Sequence, residues 1–371
     1  MSSASPPAAV PLAAVVLPPR EGFGPGRTGA IGLLARRLVQ TPGFDTIVFG
    51  GAQDGPIFPY IAFQAVSPSL WALGNTNVRY AAAVAKVLKT LSPALIEVHN
   101  RPEIALALAR RLPSIPVTLI LNNDPQGMRD AVTPAQRTEM LRRLARVITS
   151  SAYLRQRLLE GVSAPAKSPE ILLNCLDLSE LPPPRKRERL ILFAGRVVAD
   201  KGPDSFVAAC AAALPHLPGW VAEIIGADRF NIDSPDTAFV QMIRASAEGA
   251  HVRMLGYRDH PEVLTAMSRA AIVVVPSRWA EPFGLVALEA MASGAALICS
   301  PRGGLPEVAG DAAIYADPDQ PAEIAAAIRA LATDGPRRAA LADAGRQRAT
   351  QFDVPVIAAR LADLRHHVLD G

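Results

Sequence analysis

Two doubly wound α/β domains, each resembling a Rossmann fold, are what this sequence predicts, and three observations carry the prediction. The chain has 371 residues, and a single hydrophobic core stops growing near roughly 250–300 residues, so two domains are the first expectation. Short, continuously apolar strands alternate with helical stretches along the whole length, the pattern of parallel sheets covered on both faces. Near the middle, Leu181-Pro182-Pro183-Pro184-Arg185-Lys186-Arg187-Glu188-Arg189 reads as an interdomain linker, because a proline run followed by a charge cluster suits neither a sheet nor a core.

In the first half the expected strands are Leu12–Leu17, Thr46–Phe49, Ala94–Val98, Val117–Leu121, Arg146–Thr149 and Ile171–Leu173. In the second they are Leu190–Ala194, Val221–Ile225, His251–Leu255, Ala271–Val275, Ala296–Ser300 and Ala313–Tyr315. The apolar run Ala8–Leu17 has no Lys or Arg before it, so it reads as a leading buried strand rather than a secretion signal. No apolar stretch reaches the roughly 18 residues of a membrane span. Thr133-Pro134-Ala135-Gln136 signals a capped helix start. The helix that follows carries Arg137, Arg142, Arg143 and Arg146. That arginine set is either a solvated face or a basic face that meets an anionic lipid or acceptor.

Composition narrows the function. Half of the residues are hydrophobic and 19% are charged, which argues against disorder. Aromatics are scarce at 5% and the net charge is only +4, so a nucleic-acid partner is not expected. Cys175, Cys210 and Cys299 are odd in number and widely spaced, which suggests neither disulfides nor a metal site and fits a reducing, cytoplasmic setting.

Two segments carry chemistry. Strand Ala271–Val275 runs into Pro276-Ser277-Arg278-Trp279-Ala280-Glu281-Pro282-Phe283-Gly284, then a helix from about Leu285 to Ser293 that Gly294 stops. Between Pro282 and Pro301 the only charged residue is Glu289. A carboxylate in so apolar a segment either reaches the helix surface or points into a site where hydroxyls bind it. With Glu281 just ahead of the helix, two carboxylates flank a helix N-terminus at the carboxyl end of a parallel strand, where open α/β sheets place ligands and exposed N–H groups favour phosphate. The second segment follows Leu190–Ala194: Gly195-Arg196 and then Lys201-Gly202-Pro203 put two cations beside a helix start, suited to a pyrophosphate.

These residues, Gly195-Arg196, Lys201-Gly202 and Glu281-Pro282-Phe283-Gly284 with Glu289, resemble the family-4 retaining glycosyltransferases of the GT-B fold. Ile225-Gly226 and Leu255-Gly256-Tyr257 resemble that family's base-lining segments, and Gly303-Gly304-Leu305-Pro306-Glu307 the loop after its donor helix. The resemblance covers Leu190 to Asp353. In the first half Gly24-Pro25-Gly26-Arg27 resembles the family's glycine loop, Val98-His99-Asn100 its strand-end histidine, and Asn174-Cys175-Leu176-Asp177 its Asn-Gly-x-Asp turn with Cys175 in place of glycine.

The resemblance implies two Rossmann-like domains facing across a cleft: residues 1–182 on the acceptor side, 183–353 for the donor, and a last helix within 354–371 returning to the first domain. It implies a retaining hexosyl transfer from a nucleotide-diphosphate sugar to a glycan or lipid-linked glycan, with no cofactor and no metal. Arg196 and Lys201 would stabilise the leaving diphosphate, aided by N–H groups near Phe283, Gly284, Leu285 and Val286. Glu281 would hold sugar hydroxyls, Glu289 the ribose, and His99 the sugar from the other domain. Gly26, Gly226 and Tyr257 would complete the donor site. Asn122, Asn123 and Asp124 are acceptor-side candidates, with a plain turn as the alternative. Peripheral contact with the inner membrane surface and a role in bacterial surface polysaccharide or lipopolysaccharide assembly follow by association. Three rivals remain: a dehydrogenase on Gly24-x-Gly26-x-x-Gly29, which lies too far past its strand; a sugar-nucleotide epimerase or a phosphorylase of the same fold; and a non-catalytic sugar-nucleotide binder.

Overall fold

The computed structural model of the chain describes residues 10–26, 28–68, 73–163, 165, 167–229 and 233–371. Arg27 of the glycine loop and the first residues of the run from Ala8 lie outside them. The chain forms two compact units. One extends to Cys175 and takes in Val354–Gly371; the other is Leu176–Asp353.

The first unit contains β1 (Leu12–Val16), α1 (Ala30–Leu38), β2 (Asp45–Gly50), β3 (Ala62–Ala65), α2 (Thr76–Leu91), β4 (Leu95–His99), α3 (Pro102–Arg111), β5 (Val117–Leu121), α4 (Pro134–Arg143), β6 (Arg146–Thr149), α5 (Ala152–Leu159) and β7 (Glu170–Ile171). The second contains β8 (Glu188–Ala194), α6 (Pro203–Ala213), β9 (Val221–Ile225), α7 (Ala238–Gly249), β10 (Val252–Met254), α8 (His260–Arg269), β11 (Ala270–Val275), α9 (Leu285–Ala292), β12 (Ala296–Cys299), α10 (Leu305–Ala309), β13 (Ala313–Tyr315), α11 (Pro321–Thr333) and α12 (Gly335–Ala349). A final helix, α13 (Val354–Asp370), belongs to the first unit.

Every strand pairing is parallel. The first sheet has the order β3-β2-β1-β4-β5-β6-β7 and the second β10-β9-β8-β11-β12-β13. In both, the chain starts in the middle, winds to one edge, then returns and winds to the other: the doubly wound Rossmann order. The central strands are buried along their length, as in Leu95–His99 and Val117–Leu121, because helices cover both faces. Proline opens the first turn of α3, α4, α6, α8, α10, α11 and α12, where its missing N–H breaks no helical bond.

Three expectations need correction. Strand β3 went unseen because it is a short, mostly exposed edge with a single aromatic anchor, Phe63, whose ring stacks on Phe23 at 5.3 Å. The expected linker is part of the second unit: Leu176 N–H donates to Phe352 O at 2.9 Å, Glu188 and Arg189 already belong to β8, and Arg187 donates to the carbonyls of Met267 at 2.9 Å and Ser268 at 2.6 Å. Of the two readings of the α4 arginines, the solvated face holds for Arg142 and Arg143, which are exposed, but not for Arg137. The capping box of Thr133 and Gln136 forms, but Arg137 is buried and donates to Leu158 O at 2.9 Å and Val132 O at 2.7 Å, while Arg142 and Arg143 both bond Glu139. A single carboxylate between two guanidiniums removes much of the field that would draw that face to an anionic surface. No helix among the described residues is long and apolar enough to cross a membrane.

Helix α13 is fixed to the first sheet in two ways. Ile357, Ala358 and Leu361 pack with Leu34, Leu38, Ile120 and Ile148. Arg365 also makes a bidentate pair with Glu97 of β4, at 2.9 and 2.7 Å, and both residues are buried. Removing one member of such a pair strands the other charge in the core. Arg365→Met should therefore lower the stability of the first unit by about 3–5 kcal/mol in urea unfolding, and the added change Glu97→Leu should recover most of that loss. A single change no worse than the double would contradict this.

Candidate active site

The direction of winding reverses between β8 and β11 in the second unit and between β1 and β4 in the first. Open α/β sheets leave a crevice outside the carboxyl ends of such strand pairs. Both chemical signals of the second half lie there: Gly195–Lys201 follows β8, and Pro276–Gly284 follows β11.

The strand ends are laced together. Gly195 N–H donates to Ile225 O at 3.0 Å, and Gly226 N–H to Gly256 O at 2.9 Å. Gly226 has φ 143° and its backbone lies so close to Gly195 that an added Cβ would sit 1.8 Å from the Gly195 carbonyl oxygen. No other residue fits this position. Half-buried Arg196 and half-buried Tyr257 leave these laced ends.

Beyond Arg196 the chain makes a 3-10 turn, Ala199–Lys201, before α6. Arg278 holds this turn: its guanidinium grips both oxygens of Asp204 at 2.7 Å, and it donates to Ala199 O at 3.0 Å. The N–H groups of Arg278 and Trp279 donate to Asp200 O at 2.8 and 3.0 Å. The turn thus presents Lys201, whose Nζ donates to Glu281 Oε1 at 2.5 Å and lies 4.7 Å from the centre of the Trp279 ring. Lys201 and Glu281, expected on donor diphosphate and donor sugar, are each other's partners here.

Helix α9 starts at Leu285 with Gly284 as its cap residue, at φ 107° and with no side-chain capping bond. The half-buried first turn at Leu285 and Val286 is therefore open to an outside acceptor. Phe283 is buried and packs edge-on against Phe352 at 5.8 Å, so its side chain serves the core and only its backbone reaches the site. Gly304 N–H donates to Glu281 O at 2.7 Å, which fastens the Gly303-Gly304 loop beneath the carboxylate. Glu289 is buried, and its Oε1 meets His260 Nε2 at 2.7 Å.

In the first unit, His99 ends β4 and is buried. Its Nδ1 has no hydrogen-bond partner among the described residues, and burial pulls its pKa down to about 4. Next to it Asn100 Oδ1 accepts from Asn122 N–H at 2.6 Å. Gly24 is buried, with Thr28 closing the loop through Oγ1 to Gly24 O at 2.6 Å; Gly26 takes φ 71° at an exposed tip. Of the acceptor-side candidates, Asn122 is buried and Asn123 exposed, and Asp124 is used by the turn: it accepts from Gln126 N–H at 2.9 Å and pairs with Arg157 at 2.8 Å. Cys175, in place of the expected glycine, adopts no positive φ, and its carbonyl accepts from Arg37 at 3.1 Å.

Residues 179–348 match the family model of glycosyl transferases group 1. The match agrees with the expected glycosyltransferase resemblance at this broader level, and it spans the whole crevice at β8 and β11. Among curated proteins, the chain is 31% identical over 229 residues to the glycogen synthase of Mycobacterium tuberculosis, covering 59% of this chain and 53% of that protein. It is 33% identical over 188 residues to D-inositol 3-phosphate glycosyltransferase 1 of Catenulispora acidiphila, covering 49% and 45%. The chain thus spans about half the length of these relatives. In fold it is similar to Anabaena HepE, solved in complex with UDP, with TM-score 0.76 at 18% identity over 95% of this chain and 99% of that one. The fold is of the GT-B kind, two Rossmann-like units in one chain.

Sequence reasoning missed His260 because a histidine at the start of an ordinary capped helix carries no signal. It also passed over Asp317-Pro318-Asp319, an Asp-x-Asp pair. Those carboxylates are held by arginines: Arg302 reaches Asp317 at 3.1 Å and Arg278 reaches Asp319 at 2.9 Å.

His99 also predicts a pH dependence. Its folded pKa of about 4 lies below the ordinary 6.5, so the unfolded chain binds the proton more readily. The stability that neutral His99 contributes is complete above about pH 6.5 and is lost as pH falls towards about 4, of order 3 kcal/mol in all. His99→Gln should flatten the fall in urea midpoint between about pH 7 and pH 5 relative to the parent. Identical slopes would contradict the buried, neutral histidine.

Proposed function

We propose that the chain is a retaining, family-4 glycosyltransferase that moves a hexose from a nucleotide-diphosphate sugar to a glycan or lipid-linked glycan acceptor. One observation carries the reading: two buried carboxylates, Glu281 and Glu289, flank a helix start without a side-chain cap at the β8/β11 crevice, with Arg196 and Lys201 on the neighbouring loop. The group 1 match over residues 179–348 supports it, as do relatives named for glycosyl transfer and a structural neighbour crystallised with UDP.

In this mechanism the open N–H groups of α9 and the cations Arg196 and Lys201 take the diphosphate. Charge grows on its bridging oxygen as the bond to the sugar breaks, and fixed positive charge stabilises that growth. The two side-chain cations and the helix start supply this without a metal. Lys201 leaves Glu281 when the diphosphate arrives, which frees Glu281 for the sugar hydroxyls. Glu289, steadied by His260, accepts from the ribose. The acceptor hydroxyl forms the new bond to the anomeric carbon on the face the diphosphate leaves, and its proton passes to a diphosphate oxygen.

The two carboxylates should fail differently. Assayed in EDTA with UDP-glucose as the probe donor, Glu289→Gln should raise KM by roughly ten- to a hundredfold, since hydrogen bonds to a charged group are worth about 1.5–3 kcal/mol and ribose contacts change little during transfer. Glu281→Gln should mainly lower kcat, because its contacts change as the bond breaks. Folded variants with parental kinetics would refute the site, and parental activity that needs added manganese would refute the metal-free mechanism.

A further inference from the structure

We propose that Trp279 is a positioning residue for Lys201: the face of its indole ring holds the ammonium in the β8/β11 crevice while that ammonium exchanges Glu281 for the donor's diphosphate. The exchange rests on the function proposed above; the contact between ring and ammonium stands on the second unit alone.

Core packing does not explain the ring. Trp279 leaves 39% of its surface exposed, whereas a side chain of that size more often covers a core. Its backbone, by contrast, is fixed at both ends: the N–H donates to Asp200 O at 3.0 Å and the carbonyl accepts from Ser277 Oγ at 3.1 Å. Gly202 has φ 69°, and a Cβ added there would sit 2.1 Å from Pro276 O. The segment that carries the ring and the turn that carries the lysine are therefore locked backbone to backbone, at Asp200 on one side of Lys201 and at Gly202 on the other. That frame sets the separation of ring and ammonium. Nζ of half-buried Lys201 lies 4.7 Å from the ring centre while it donates to Glu281 Oε1 at 2.5 Å.

The two contacts differ in kind. Glu281 offers a full opposite charge and a directional hydrogen bond, and an arriving diphosphate competes for both. The indole face offers only the negative side of its quadrupole, which attracts a cation within about 6 Å of the ring centre. It carries no net charge, so it holds the ammonium without competing with the diphosphate for it. An ammonium released by Glu281 would otherwise swing into solvent on its flexible four-carbon stem. The ring keeps it partly desolvated and within reach of both anions. Arg278 on the same segment cannot take over this task, because its guanidinium is bonded to Asp204 and Asp319. Leucine in place of Trp279 would fill much of the space without the quadrupole, and phenylalanine would keep a weaker one.

The test is isothermal titration of the full-length protein with UDP, run as a double-mutant cycle. Trp279→Leu should weaken UDP binding about fivefold, and Trp279→Phe should recover part of that loss. Lys201→Met should weaken UDP binding more than either, and Trp279→Leu added to Lys201→Met should cost nothing further, because the ring then has no ammonium to hold. Trp279→Phe in both backgrounds gives the same comparison with a smaller change of shape. A ring that only fills space would cost as much in the Lys201→Met background as in the parent. Equal losses in the two backgrounds, or parental UDP affinity in Trp279→Leu, would overturn the proposal and leave the donor site standing. A parent that binds no UDP would refute the donor reading and this role of Trp279 together.

Discussion

A parallel sheet that starts in its middle has to send its two central strands in opposite winding directions, and the rest of this protein's chemistry depends on that reversal. Right-handed crossovers carry the chain away to either side, so nothing covers the gap at the carboxyl ends of the central pair. In the second unit the gap lies between β8 and β11. It receives two cations from one loop, one carboxylate from the other and a second carboxylate from the helix that follows. The close approach of Gly226 to Gly195 keeps the strand ends dense enough to hold these loops in fixed relation.

Charge in that crevice is arranged in pairs. Lys201 holds Glu281, His260 holds Glu289, and Arg278 clamps the turn that presents Lys201. A buried carboxylate without a partner would be costly, so the pairing lets the protein keep both acids in an apolar segment before any donor is present. It also gives the proposed donor work to do on arrival, since its diphosphate competes with Glu281 for Lys201. The Glu97–Arg365 pair follows the same rule far from the crevice, where it ties the last helix to a central strand.

Much of the second unit was legible in the sequence because its signals are local. Apolar strands with sharp ends, glycines just past them and a lone glutamate in an apolar helix all lie within short windows, and Glu281, Glu289, Arg196 and Lys201 stand out as candidates in that way. What stayed hidden depends on contacts between distant segments. Arg137 reads as a surface charge until the carbonyls of Leu158 and Glu160 close around it. Asp124 reads as an acceptor contact until Arg157 claims it. The break expected at Pro182 failed for a related reason: composition marks irregular chain, but which unit it packs on is a tertiary matter.

The central claim is that the crevice at β8 and β11 receives the nucleotide sugar. Hydrogen–deuterium exchange with and without saturating UDP-glucose tests it most directly, because the amides expected to meet the diphosphate can be read individually. The account predicts slower exchange at Gly195–Gly202 and at Gly284–Ala287. Saturation without protection at either segment, or with protection confined to the first unit, would contradict it.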